Sequence, residues 1–238
     1  MATPAMAAQD NDWETLETDN FVIEYQSGYE DDAQKIGRMG EQARTEILAE
    51  IPYDDPPTLD NPIHIRVYPE DQWNDSPYAQ YWKTNRGSNR VVRIHVLAPS
   101  ESEYADGDDV PIDKYERTLW HEYINIVLWD TGTDNAEYDY YDRNPLWFPE
   151  GLSDYYVFQT QTVKDSFPNY RIRVVNKSIR SDEADFDEVS QYEYGGGQLL
   201  VMYMVDAYGE DAVWRVLRSS EDFWPAVQSE FGVNKTEF

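Results

Sequence analysis

Apolar and polar positions change period along the chain, and the changes mark its elements. Residues 20–25 (NFVIEY) set Phe21, Ile23 and Tyr25 on one face, the period-two pattern of a strand. From 29 to 51 the period lengthens. Ile36, Met39, Ala43, Ile47 and Leu48 form a helical stripe, acids fill the first turn, and the run DDPP stops the helix. Residues 61–69 (NPIHIRVYP) return to period two, with Ile63, Ile65 and Val67 opposing His64 and Arg66. Residues 89–99 do the same, with Val92, Ile94 and Val96 opposing Arg93, His95 and Leu97. The polar, aromatic stretch 70–89 between them reads as loop.

The second half of the chain reads differently. An acidic loop leads into a gap-free apolar run, 117–129 (RTLWHEYINIVLW), which reads as a buried helix. A further helix is predicted from about Pro149. A helix pair follows at 196–209 and 210–220, and a shorter helix at 222–232 closes the chain. Strands first and helices afterwards predict an α+β fold. Met202, Val205, Trp214 and Leu217 fall on the core faces of the last helices. His64 and His95, set opposite the apolar faces of their strands, read as exposed or hydrogen-bonded residues and not as metal ligands.

Composition adds constraints. The 238 residues suffice for one sizeable domain. The chain has 47 Asp and Glu against 19 Lys and Arg, a net charge of -28, and 13 of its cations are Arg. An acidic surface spread over the whole sequence and poor in Lys predicts a protein of a halophilic organism, because concentrated salt screens the self-repulsion. The same charge argues against nucleic acid and anionic membrane surfaces as partners. No apolar stretch is long enough to span a bilayer. With no cysteine, disulfides, thiolate ligands and cysteine nucleophiles are excluded. The small-residue pattern Ala5-Met6-Ala7 resembles the end of a signal or lipoprotein leader. It implies a flexible tail over 1–19 and an extracellular or cell-surface location, with the folded domain spanning 20–238.

The chemistry concentrates in two segments. On the helix predicted over 117–129 His121 is followed at once by Glu122, and Asn125 lies one turn later. The second segment, 144–156 (NPLWFPEGLSDYY), places Glu150 25 positions after Asn125 and Asp154 one turn after Glu150. Residues four apart share a helix face, so each segment presents its polar pair to one side. His121 and Glu122 alone would read as an ordinary polar pair on a core helix.

Together the segments resemble the gluzincins, the peptidase MA-like zinc metallopeptidases. Their first helix carries H-E-x-x-H and their second runs approximately W-x-x-E-G-x-A-x-Y. The opening strand and helix, and the stretch YEYGGGQLLVMYMVDAYG, extend the resemblance over about residues 20–238. It implies a zincin-like, thermolysin-like single domain. A small mixed or antiparallel sheet and the active-site helix would occupy 20–130, and a helical part 145–238. His121 and Glu150 would be zinc ligands, Asn125 would stand at the second ligand position, and Glu122 would be the general base. Asp154 would hold the other ring nitrogen of His121. Tyr194, or alternatively Tyr192, would stabilise the oxyanion, and an edge strand, assigned to 90–97, would pair with substrate backbone.

The departure is Asn125. A neutral amide oxygen suits harder cations better than it replaces imidazole on zinc. The leading expectation is therefore a gluzincin-type protein with impaired or lost catalysis. The alternatives are an active metal-dependent peptidase and a non-catalytic peptide-binding or structural cell-surface domain. In each case the partner is a peptide or protein.

Overall fold

A computed structural model describes residues 13–52, 62–73, 78–83, 90–102, 114–131, 143–167, 169 and 195–238. Five strands form one mixed sheet: β1 (Trp13–Glu17), β2 (Phe21–Gln26), β3 (Ile63–Tyr68), β4 (Tyr78–Lys83) and β5 (Arg90–Leu97). Their order across the sheet is β1-β2-β3-β5-β4. β2, β3 and β5 run parallel, and β1 and β4 close the two edges antiparallel to their neighbours. Seven described helices complete the fold: α1 (Glu30–Glu50), α2 (Lys114–Thr131), α3 (Trp147–Gln159), α4 (Gln161–Ser166), α5 (Gly195–Tyr208), α6 (Ala212–Arg218) and α7 (Phe223–Phe231). The architecture is mixed α+β, with its strands in the N-terminal half.

Two strands depart from the sequence expectation. The tail predicted over 1–19 contains β1, which pairs with β2 from Trp13 opposite Gln26 to Glu17 opposite Val22. Its sequence, WETLE, carries three polar residues and spaces its two large apolar ones three apart, so it lacks the period-two signal. The loop predicted over 70–89 contains β4, YAQYWK, an aromatic strand without aliphatic alternation. It pairs with β5 from Tyr78 opposite His95 to Lys83 opposite Arg90. β5 is therefore an interior strand, and the edge role assigned to 90–97 passes to β4.

The parallel strands bury the face predicted for them. Phe21, Ile23, Ile63, Ile65, Val67, Ile94 and Val96 join Ala33, Ile36, Met39, Ala43 and Ile47 of α1 in one continuous core. Each fully buried Phe, Ile or Val side chain among them contributes about 1.5–3 kcal/mol through removal of apolar surface from water. Acids at Glu30, Asp31 and Asp32 suit the positive end of the α1 dipole. Asp32 also accepts hydrogen bonds from the Ser100 backbone N–H (2.8 Å) and hydroxyl (2.6 Å), which ties α1 to the segment after β5.

α2 is buried on most sides, through Leu119, Trp120, Tyr123, Ile124, Val127 and Leu128. That explains a run with no polar stripe: the helix passes through the core between α1 and α3. α3 begins at Trp147, two residues before the predicted start, and holds Pro149 in its first turn, where no intrahelical donor is lost. Met202, Val205, Trp214 and Leu217 are buried as predicted.

Candidate functional site

α2 and α3 meet through side chains at matching intervals. α2 supplies His121, Glu122 and Asn125, and α3 supplies Glu150, Ser153 and Asp154. One turn of spacing on each helix puts these groups on the two facing surfaces. His121, 7% exposed, spends both ring nitrogens on α3. Its Nδ1 lies 2.9 Å from Asp154 Oδ1, and its Nε2 lies 3.0 Å from Glu150 Oε2. The predicted partnership of Asp154 with His121 is thus present in the geometry.

An ionised carboxylate only accepts hydrogen bonds, so an imidazole held between two of them is suited to carry a proton on each nitrogen. Burial opposes the charged ring. The hydrogen bonds to Asp154 and Glu150, and the charges of Asp154 and Glu122, outweigh it, and the His121 pKa stands well above the usual histidine value.

Asn125 spends its amide on Ser153 and Glu122. Its Oδ1 accepts a 2.6 Å hydrogen bond from Ser153 Oγ, and its Nδ2 points to Glu122 Oε2 at 3.4 Å. Asn125 is 4% exposed and Ser153 fully buried. The amide orientation follows from chemistry, because the reverse would set the carbonyl oxygen against the Glu122 carboxylate, two acceptors face to face.

Do these residues suit zinc? Two zinc ligands at about 2.0–2.1 Å from a tetrahedral ion lie about 3.3 Å apart. The 3.0 Å separation of His121 Nε2 and Glu150 Oε2 is near that value. The third position fails: Asn125 offers one neutral oxygen, and that oxygen is bonded to Ser153. Among the described residues no group of three His, Cys, Asp or Glu side chains is placed to hold a metal ion. The donor set does not fit a three-ligand zinc centre.

Helix packing fixes the position of Glu150. The next residue, Gly151, touches α5 backbone to backbone: a Cβ on Gly151 would stand 2.1 Å from the Gly197 carbonyl carbon. A Cβ on Gly197 would stand 2.2 Å from the Trp147 carbonyl oxygen. Only glycine allows this approach.

Tyr194 and Tyr192 lie outside the described residues. His64 and His95 lie on the other face of the sheet and take no part in this site. His64 Nδ1 meets Glu24 at 3.1 Å, and His95 Nδ1 meets the Tyr68 hydroxyl at 2.9 Å. Sequence reasoning missed Ser153. Its signal was available, because Ser153 stands where the motif W-x-x-E-G-x-A-x-Y has Ala. No helix among the described residues is long and apolar enough to cross a membrane. In comparison with known proteins, no family model matches the chain, and no curated protein matches it either.

Proposed function

We propose that this protein is a gluzincin-like, zincin-fold domain that has lost metal-dependent peptide hydrolysis and binds peptide segments without cutting them. The observation that carries the reading is the state of the second ligand position. Asn125 is bonded to Ser153, while His121 is bonded on both sides to Glu150 and Asp154. Direct hydrogen bonds join the two helices where a metal would otherwise bridge them. Two features support peptide binding: the antiparallel edge strand β4, whose backbone can extend the sheet onto a peptide, and the partly exposed carboxylates of Glu150 and Asp154. The acidic, Lys-poor chain suits the surface or surroundings of a halophilic cell.

The second reading, a metal-dependent peptidase, is favoured by the ligand-like separation of His121 Nε2 and Glu150 Oε2.

One experiment separates them. The protein is purified in multimolar KCl without chelator, its zinc content measured, and a peptide library incubated with it and read by mass spectrometry. The expected result is zinc far below one ion per chain, with peptides retained intact. Stoichiometric zinc together with chelator-sensitive cleavage would establish the second reading instead.

A further inference from the structure

We propose that Ser153 is a positioning residue that keeps Asn125 out of metal coordination, so that metal affinity at this site is set on α3 as well as on α2. The inference rests on the metal-free reading of the site and adds a residue to it.

An asparagine can offer a cation only its carbonyl oxygen. Here that oxygen accepts the Ser153 hydroxyl at 2.6 Å, in a place where both residues are buried. The other end of the amide faces Glu122 Oε2. Turning the amide over is opposed by a clash of like character, the carbonyl oxygen set against the Glu122 carboxylate. Swinging the oxygen towards His121 and Glu150 instead breaks the Ser153 bond and strands a buried hydroxyl. Leaving a buried polar group unpaired weakens any competing arrangement by roughly tenfold to a hundredfold. The rung between Asn125 and Ser153 therefore acts against a cation even where the remaining donors stand at a suitable distance.

The position of Ser153 makes the effect specific. It lies three residues after Glu150 and one before Asp154, on the face of α3 that meets α2, so it reaches Asn125 while Glu150 and Asp154 hold His121. Ser153→Ala leaves those two contacts in place. It removes the donor and leaves the Asn125 oxygen as a buried acceptor, which a bound cation would satisfy.

The test is a titration of the full chain with Co²⁺ in multimolar KCl, followed by calorimetry and by the visible absorption of the bound ion. S153A should bind Co²⁺ roughly tenfold or more tightly than the unaltered protein. S153T, which keeps the hydroxyl, should bind like the unaltered protein, and the gain should vanish in the double variant N125A/S153A. A merely structural role for Ser153 would lower stability without raising metal affinity. If S153A does not fold, S153G carries the same comparison. The inference is overturned if removing the hydroxyl leaves Co²⁺ affinity unchanged, or if S153T gains as much as S153A. The two proposals fail separately. Stoichiometric zinc on the unaltered protein sinks the metal-free reading whatever the ratio, and a ratio of one sinks the role of Ser153 whatever the absolute affinity.

Discussion

At the scale of single residues, two histidines on opposite faces of the fold are held in opposite states. His121 sits between carboxylates with its pKa raised. His95, 4% exposed, has its pKa pushed down to about 4: burial is the main cause, the charges of Arg93 and Arg66 add to it, and Glu24 works against it. The Tyr68 hydroxyl and the neutral ring share a hydrogen bond at Nδ1. The sign follows. In the unfolded chain His95 takes up a proton near pH 6.5, and in the folded protein only near pH 4. Its contribution to stability is complete above pH 6.5 and is lost as the pH falls towards 4, by up to about 3 kcal/mol. His121 acts in a different window: its stabilisation is present below pH 6.5 and is lost as the pH rises through its raised value. Denaturant melts between pH 6.5 and 5, above the range where most carboxylates titrate, should therefore show stability falling. His95→Asn keeps a hydrogen-bonding partner for Tyr68 and should flatten that fall. An equal slope in the variant would show that the buried ring is not its source.

At the scale of elements, the packing of α3 decides where Glu150 and Asp154 stand, and glycine decides that packing. Gly197→Ala brings a methyl group to 2.2 Å from the Trp147 carbonyl oxygen, so α5 and α3 must separate. In an open helix the change would stabilise by up to about 1 kcal/mol through propensity. In this contact overpacking costs about 1–3 kcal/mol, so destabilisation should win. A thermal melt of G197A at or above that of the unaltered protein would show that the helices have room to spare. Elements with strong periodic patterns were legible in the sequence: β2, α1, β3, β5 and the last three helices follow their stripes. β1 and β4 were not, because an edge strand is held largely by backbone pairing, which side-chain type does not encode, and WETLE and YAQYWK carry little alternation. The same distinction applies to the site. The resemblance of two within-helix motifs to the gluzincin pattern pointed to His121, Glu122, Asn125, Glu150 and Asp154, and one-turn spacing set the polar residues of each helix to one side. The role of Gly197 was hidden, because it depends on a partner across a helix interface that no local pattern encodes; Ser153 left only the signal of standing where the motif has Ala, and its partner Asn125 lies across the interface too.

At the scale of the whole molecule, the charge of -28 is too large to be settled by the ion pairs that the fold provides. One cluster among the described residues gathers His64, Arg66 and Arg93 around the single carboxylate of Glu24, which places two of the 13 arginines on one acid. Much of the remaining acid is exposed, as at Glu17 on β1 and Glu210 after α5, and repels across the surface. Repulsion of this kind acts over a Debye length, which shrinks from about 10 Å at 0.1 M salt to about 3 Å at 1 M. The folded state, which holds its charges closer together than the unfolded chain, gains more from that screening. The melting temperature should therefore climb steeply from dilute buffer into multimolar KCl. Sucrose at matched osmolality, which leaves the charges unscreened, should reproduce only a small part of the rise. Replacing Glu17 and Glu210 together by Lys lowers the charge by four without touching the core or the facing surfaces of α2 and α3. That variant should melt higher than its parent in dilute buffer and converge with it in concentrated salt. Equal gains at both salt levels would assign the effect to local contacts of the two lysines and not to the charge of the molecule as a whole.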